Sequence, residues 1–383
     1  MLNEKDLQAI NKFLLFAEIK NSGQTEGINT TEADLKLAEE KTKNNLILKG
    51  EKQNLFNLKN AYSKGKNIVK EYQKLKYSDV LEIAKRSENF YTQTLKTKDN
   101  KIQNLNVPLV SASDVKIYLE DFVHNFNKNN LNLNIYDFCS LTHWYFEIIH
   151  PFADGNGRIG RVLIYVFFLL YELWPSNLVM PISYAIFKKT TANEHLGNQY
   201  KSELNMFRYP GLEHKNIQEQ LAKFTSQKNR NDFSGLANFY QTFSGEKTIW
   251  ISYFEFMQFA YLNSFEKTIK FIKKYSQEKK RITIKLKQKQ FSDLTNENIL
   301  HNFVDLLFSE YIVRLDKLRQ ILNPHSPNIK KINQRVKKIM IYLDDAFYKG
   351  TFNEKRQKNQ STIYFGNKRL YKVFSINEIL MNI

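Results

Sequence analysis

The stretch His150-Pro151-Phe152-Ala153-Asp154-Gly155-Asn156-Gly157-Arg158-Ile159-Gly160-Arg161 constrains this chain more than any other feature. An apolar, aromatic segment from Ile135 to Ile149 leads into it and reads as a buried helix, and Val162 to Leu173 leads out as another. The stretch is therefore a joint between two buried helices. Pro151 lacks an amide donor and cannot continue the incoming helix, while Gly155 and Gly157 permit backbone angles closed to other residues. The amides from Gly155 to Arg158 can then turn inward together at the start of the second helix and form a phosphate cradle.

The side chains point to the same chemistry. Arg158 and Arg161 lie three apart on the second helix and lean back toward its N-terminus, where they would clamp a polyphosphate. Asp154 offers a hard carboxylate oxygen beside that anion, suited to a magnesium ion shared between one acidic residue and substrate phosphates. His150, ending the first helix, can accept a proton near neutral pH. A base, a metal ligand and an anion cradle in one short loop describe transfer of a nucleotide or phosphoryl group to a hydroxyl.

His150 to Arg161 also matches without a gap the signature of Fic-domain proteins, His-Pro-Phe-x-Asp/Glu-Gly-Asn-Gly-Arg-x-x-Arg. The resemblance continues upstream through His143-Trp144-Tyr145-Phe146-Glu147-Ile148-Ile149 and covers the chain from its N-terminus to about Tyr275. It implies a mainly α fold, a Fic-type helical bundle with a small β-hairpin flap, and transfer of AMP from ATP to a Ser, Thr or Tyr hydroxyl of a protein. Carried over by position, His150 would deprotonate the hydroxyl and Asp154 would hold Mg2+ between the α- and β-phosphates. Gly155, Asn156 and Gly157 would form the anion hole, Arg158 would grip the phosphates, Arg161 would take the γ-phosphate, and Phe152 would anchor the loop. The phosphotransferase branch of the family carries Lys where this chain has Gly157, which favours adenylylation.

A helical pattern from Glu4 to Lys20, with Leu7, Ile10, Phe13, Leu14 and Ala17 as apolar positions, runs into Asn21-Ser22-Gly23-Gln24-Thr25-Glu26-Gly27. Ser22 and Glu26 are spaced to share a helix face, and Gly27 suits a left-handed helix cap. Alone this pattern is an ordinary helix terminus. By resemblance to the family's inhibitory motif, Ser/Thr-x-x-x-Glu-Gly/Asn, Glu26 would pair with Arg161 and occupy the space of the γ-phosphate. Gly23 loosens the helix, and Thr25 stands where the family has an aliphatic residue.

The formal net charge of +18 over 383 residues suggests a polyanionic partner, although abundant Lys and Asn with few Gly and Pro also follow from AT-rich coding. The single cysteine, Cys139, sits in an apolar helix and reads as an inert buried thiol. Residues Glu4, Lys5 and Asp6 do not shape a signal peptide, and Val162 to Leu170 is too short to span a bilayer, so a cytoplasmic protein without membrane attachment is expected.

The domain reading places an N-terminal helical region at 1–93, the catalytic domain at 94–275, a basic linker or solvated helix face at 276–297 and, by resemblance to a module appended to many Fic proteins, a winged helix–turn–helix-like module at 298–383. In the segment 94–110, Asp99-Asn100 marks a turn; by resemblance the family's flap there would hold the target protein by main-chain pairing, and a plain surface loop reads equally well. Tyr200 resembles a residue near the family's adenine pocket, and a core tyrosine reads equally well. In the C-terminal module, Ile332, Val336, Ile339 and Leu343 are spaced to face a core, leaving Lys330, Lys331, Arg335, Lys337 and Lys338 outward, with Lys368 and Arg369 near a wing. The expected function is an autoinhibited protein adenylyltransferase. A nucleotide-sensing regulator with weak DNA binding, and an enzyme that also removes AMP, are the alternatives, and self-association stays open.

Overall fold

The computed structural model describes residues 2–24, 51–87, 94–100, 108–186, 215–226, 233–244, 247–309, 312–322, 328–353 and 360–371. The helices are α1 (Glu4–Gln24), α2 (Glu51–Tyr72), α3 (Tyr77–Ser87), α4 (Val115–Phe126), α5 (Ile135–Ile149), α6 (Asn156–Leu170), α7 (Ile182–Ile186), α8 (Lys215–Ser226), α9 (Gly235–Ser244) and α10 (Lys247–Lys289). There follow α11 (Glu297–Ser309), β1 (Ile312–Arg314), α12 (Leu315–Leu322), α13 (Ile329–Tyr342), β2 (Phe347–Asn353), β3 (Gln360–Asn367) and α14 (Lys368–Tyr371). The fold is mainly α, as the sequence led us to expect. Among the described residues, 21–24 and 51–264 group into one compact unit, and 2–20 with 265–371 into another.

The first unit is organised on α5 and α6. Asn134 caps α5, its side-chain oxygen accepting from the amides of Tyr136 and Asp137 at 3.1 and 2.9 Å. Behind that cap the helix is buried from Phe138 to Ile149, and α6 is buried from Ile159 to Leu169. Helices apolar all round belong at the centre of a bundle. Aromatic rings join the layers: Phe122 of α4 lies 5.4 Å from Phe146, and Phe126 meets Phe167 edge-on at 5.3 Å. Where α2 crosses α6, Gly65 stands in place of a side chain, and a Cβ there would come within 2.7 Å of Val166 Cγ2.

One buried carboxylate ties a third layer to this pair. Asp121 on α4 accepts from the Tyr145 hydroxyl at 2.8 Å and from the Gly235 and Leu236 amides at 2.8 and 3.0 Å. It thereby satisfies two amides at the start of α9, which lack intrahelical acceptors. Burial raises its pKa, and these hydrogen bonds act in the opposite direction. Cys139 is also buried, its thiol pushed up to about 12 by desolvation.

In the second unit, Asp6 near the start of α1 accepts from Tyr275 at 3.2 Å and pairs with Lys279, which also reaches Asp305 at 2.7 Å. Phe13 packs on Phe271 at 5.5 Å and Tyr275 on Phe308 at 5.4 Å. From α11 onward the order is helix, strand, helix, helix, then two strands. β3 lies between β1 and β2 and pairs antiparallel with both. Asn328 caps α13 by accepting from Lys331 N at 3.0 Å, and Ile332, Val336, Ile339 and Leu343 are all buried as their spacing demands. Lys330, Lys331, Lys337 and Lys338 are exposed. Arg335 instead reaches Asp293 at 2.6 Å.

Several boundaries differ from the sequence reading. The segment 276–297 is no linker over most of its length: α10 continues to Lys289, because Glu278, Ile282 and Leu286 recur every four residues and are buried. Glu278 there meets Arg281 at 2.9 Å and Arg369 at 3.1 Å. Lys368 and Arg369 lie on α14 and not on a strand, and Arg369 meets Glu278. Of the flap segment, residues 94–100 and 108–110 are described and form loop, not strand, and 101–107 lie outside the described residues. No described helix is long and apolar enough to cross a membrane.

Candidate active site

At the end of α5 the chain reverses through His150, which takes the left-handed conformation with φ 44° and ψ 59°. Its amide still donates to Phe146 O at 3.0 Å, and Pro151 then forbids another helical turn. A left-handed non-glycine residue costs about 1–3 kcal/mol and persists only where its surroundings impose it. The His150 ring places Nδ1 3.3 Å from Glu147 O. With the proton on Nδ1 donated to that carbonyl, Nε2 keeps the lone pair a general base needs.

Phe152, fully buried, pins the loop, and Asn156 closes it. The Asn156 side chain accepts from Phe152 N at 3.0 Å and donates to Phe152 O at 2.8 Å. Gly155 follows with φ 77°, a conformation open chiefly to glycine. Its amide is already committed, donating to Asp154 Oδ1 at 2.7 Å. The first helical bond of α6 runs from Ile159 N to Gly155 O at 3.0 Å, so helix geometry gives the Asn156 and Gly157 amides no intrahelical acceptor. With the positive end of the helix dipole, such amides can receive an anion. Asn156 thus serves the cradle through its backbone, while its side chain shapes the loop.

The charged residues surround this cradle unevenly. Asp154 is 77% exposed, and its Oδ2 lies 3.7 Å from Nη2 of the buried Arg158, so that guanidinium leans back over the loop as its spacing required. Among the described residues no group of three or more His, Cys, Asp or Glu could hold a metal. A single exposed carboxylate next to an anion site fits Mg2+, which binds through one or two carboxylates plus substrate phosphates.

Arg161 is engaged by the chain itself. Its Nε and Nη2 donate to Ser22 Oγ at 3.0 and 2.8 Å, and Nη2 also approaches Ser22 O at 3.4 Å. Both residues are buried. α1 extends to Gln24, so Ser22 and Gly23 are helical despite the glycine. Glu26 and Gly27 lie outside the described residues, as does Tyr200. The structure therefore brings together His150, Phe152, Asp154, Gly155, Asn156, Gly157, Arg158, Arg161 and Ser22.

Sequence reasoning missed a supporting set. Gly160 approaches α5 so closely that a Cβ would sit 2.8 Å from His143 Cε1 and 2.9 Å from Glu147 Oε1. The signal was present, since His143 and Glu147 are one turn apart on a largely apolar helix. Lys96 and Asn100, which bond the backbone on both sides of His150, carried no recognisable spacing.

Residues 74–168 match the model of the Fic/DOC family. A probable protein adenylyltransferase of Aquifex aeolicus is 42% identical over 40 residues, which are 10% of this chain and 12% of that protein's length. A Fic domain containing signaling protein from Bacteroides thetaiotaomicron is similar with a TM-score of 0.42 and 16% identity, over 68% of this chain and 91% of that one. A Fic family protein from Desulfovibrio desulfuricans gives a TM-score of 0.39 and 14% identity over 93% and 88% of the two chains. The match to the Fic/DOC family thus lies within residues 74–168 and takes in the whole loop from His150 to Arg161.

Proposed function

We propose that this chain is a protein adenylyltransferase that moves AMP from ATP to a hydroxyl of a target protein. The observation that supports it most is the loop itself: His150, its Nδ1 3.3 Å from Glu147 O, ends α5 where the loop leads into the start of α6, with Arg158 and Arg161 on that helix. The hydroxyl would lose its proton to His150 while its oxygen attacks the α-phosphorus, and the bond to the bridging oxygen of the β-phosphate would break, releasing pyrophosphate. When bound beside Asp154, Mg2+ supplies positive charge to the phosphates. The Asn156 and Gly157 amides and Arg158 would hold the polyphosphate in line, and Arg161 would take its γ end.

Two finer readings belong with this one. Autoinhibition by α1 is supported by the hydrogen bonds from Arg161 to Ser22, the first residue of the motif that ends in Glu26 and Gly27. The target protein would dock on the segment 94–110, which precedes the cradle. Incubating a Glu26→Gly chain with labelled ATP and cell extract, then searching for added AMP by mass spectrometry, tests the activity. Label on extract proteins that His150→Ala abolishes would sustain the reading, and no label from any variant would end it. Prior AMP-labelled target that loses label in the parental chain would extend the reading to AMP removal.

A second reading concerns the C-terminal module. Its strand order and the exposed Lys330, Lys331, Lys337 and Lys338 on a helix with a buried apolar face favour a winged-helix reading and weak binding to a phosphate backbone. Substrate docking is the favoured role of that module. Titrating the full chain with duplex DNA at two salt concentrations tests the DNA part, which requires affinity falling steeply with salt.

A further inference from the structure

The conformation of His150 is left-handed, a state its surroundings must hold, and besides the contact of its ring with Glu147 O the backbone on either side of it is held as well. Lys96 and Asn100, within the segment proposed for docking, hold that backbone. Lys96 donates from its backbone amide to Pro151 O at 2.9 Å and from Nζ to Ile149 O at 3.3 Å. Asn100 donates from Nδ2 to Phe152 O at 2.9 Å, and Lys96 Nζ donates to Asn100 Oδ1 at 3.0 Å, joining the two side chains. Further along, Val110 N donates to Ile148 O at 3.2 Å, and Ala112 N to Asp99 Oδ1 at 2.7 Å, which folds the same segment back on itself. The carbonyls of Ile148, Ile149, Pro151 and Phe152 are thus all held by residues of one segment, and they bracket His150.

Lys96 is an expensive way to fill this position. It is 4% exposed, and desolvation lowers its ammonium to about 8, with Asp99 acting in the other direction. A Leu or Met would fill the same volume without that cost, but neither could reach two acceptors at once. The hydrogen bonds go to the carbonyl preceding His150 and to the side chain that holds Phe152, so the lysine grips the base from both sides.

We propose that Lys96 and Asn100 are positioning residues that fix the backbone of His150 and thereby aim its Nε2 at the substrate hydroxyl. This rests on the transfer reading for its kinetic consequence, though not for its structural one. The two residues contact neither the amides of the cradle nor Arg158 or Arg161 in any bond described above, so nucleotide binding should be nearly untouched when they are changed. The rate of the chemical step should not, because misplacing a catalytic group by about 1 Å costs on the order of 100-fold.

The test uses the full chain bearing Glu26→Gly, with Lys96→Met and, as a variant that acts on the other arm and keeps the lysine, Asn100→Ala. The expected result is a kcat lowered roughly 10- to 100-fold with KM for ATP and the ATP Kd within about threefold of the parent. A parental kcat overturns the proposal, and so does a loss of ATP affinity that accounts for the whole loss of rate. An independent arm labels histidine with 15N and identifies the His150 imidazole by its absence in His150→Ala. Lys96→Met or Asn100→Ala should shift that imidazole toward a mixture of tautomers while the other histidines stay in place. An unchanged His150 signal rejects the clamp even if the chain transfers no AMP, and a changed one sustains it there, so failure of the transfer reading is told apart from failure of this one. Should Lys96→Met not fold, Asn100→Ala decides both arms.

Discussion

Ser22→Ala should weaken the fold and strengthen nucleotide binding at the same time. Ser22 Oγ accepts from Nε and Nη2 of Arg161, and both residues are buried, so its loss leaves donors of a charged group without that oxygen. Hydrogen bonds to charged groups contribute about 1.5–3 kcal/mol, and since one oxygen serves both donors we take about 2 kcal/mol for the pair. Alanine returns about 0.5 kcal/mol of helix propensity at this position in α1, leaving a net loss of about 1.5 kcal/mol. For a unit of this size each kcal/mol moves the melting temperature by about 2–4 °C, so calorimetry should find a decrease of roughly 3–6 °C. On the proposed reading, parental Arg161 would have to leave Ser22 to meet a γ-phosphate, and the variant would have no such contact to break. At 1.4 kcal/mol per decade, about 2 kcal/mol is on the order of a 30-fold lower Kd, measured by titration calorimetry with a non-hydrolysable ATP analogue. A lowered melting temperature with unchanged or weaker ATP binding would refute the competition and leave Ser22 as a packing residue. An unchanged melting temperature would refute the energetics.

Other perturbations test other parts of the site. His150→Ala should bind ATP with nearly parental affinity and transfer AMP at least 100-fold more slowly, checked by calorimetry and by label incorporation. Glu26→Gly should raise AMP transfer well above the parent, and unchanged transfer by a folded, ATP-bound chain would leave Glu26 without an inhibitory part. Lys96 titrates near 8 in the fold and at 10.5 when exposed, so between those values the unfolded chain holds the extra proton and the lysine's contribution to stability rises with pH. Denaturant titrations at pH 8 and pH 9.5 should show that rise in the parent and its absence in Lys96→Met. Asp121→Ala should cost about 3 kcal/mol, read from the denaturation midpoint, because it strands the Tyr145 hydroxyl and the Gly235 and Leu236 amides.

The centre of the fold was legible because its signals are local. Ile135 to Ile149 is bounded by a capping Asn134 and by Pro151, and the helix occupies that range. Ile332, Val336, Ile339 and Leu343 likewise face the core as their spacing requires. The run from Lys279 to Lys289 misled because its lysines outnumber the few apolar residues that bury α10, so composition hid the period. β1, with the three residues Ile312–Arg314, is too short to register as a pattern and exists through its partner β3. Ser22 was singled out only for its spacing to Glu26, and the hydrogen bonds to Arg161 join residues 139 apart in sequence. Lys96 had no chance of being found: a lysine in a lysine-rich chain becomes informative only when it is seen buried.

The missing side chain at Gly160 bears on any attempt to move this loop into another protein. In the signature, the two places between the arginines are written as free, yet here one of them touches His143 and Glu147 of the preceding helix. Transplanting residues 150–161 alone would carry the cradle but not the pair of side chains that set how near its two helices stand. The smallest portable piece therefore begins at His143, and designs that vary position 160 should vary 143 and 147 with it.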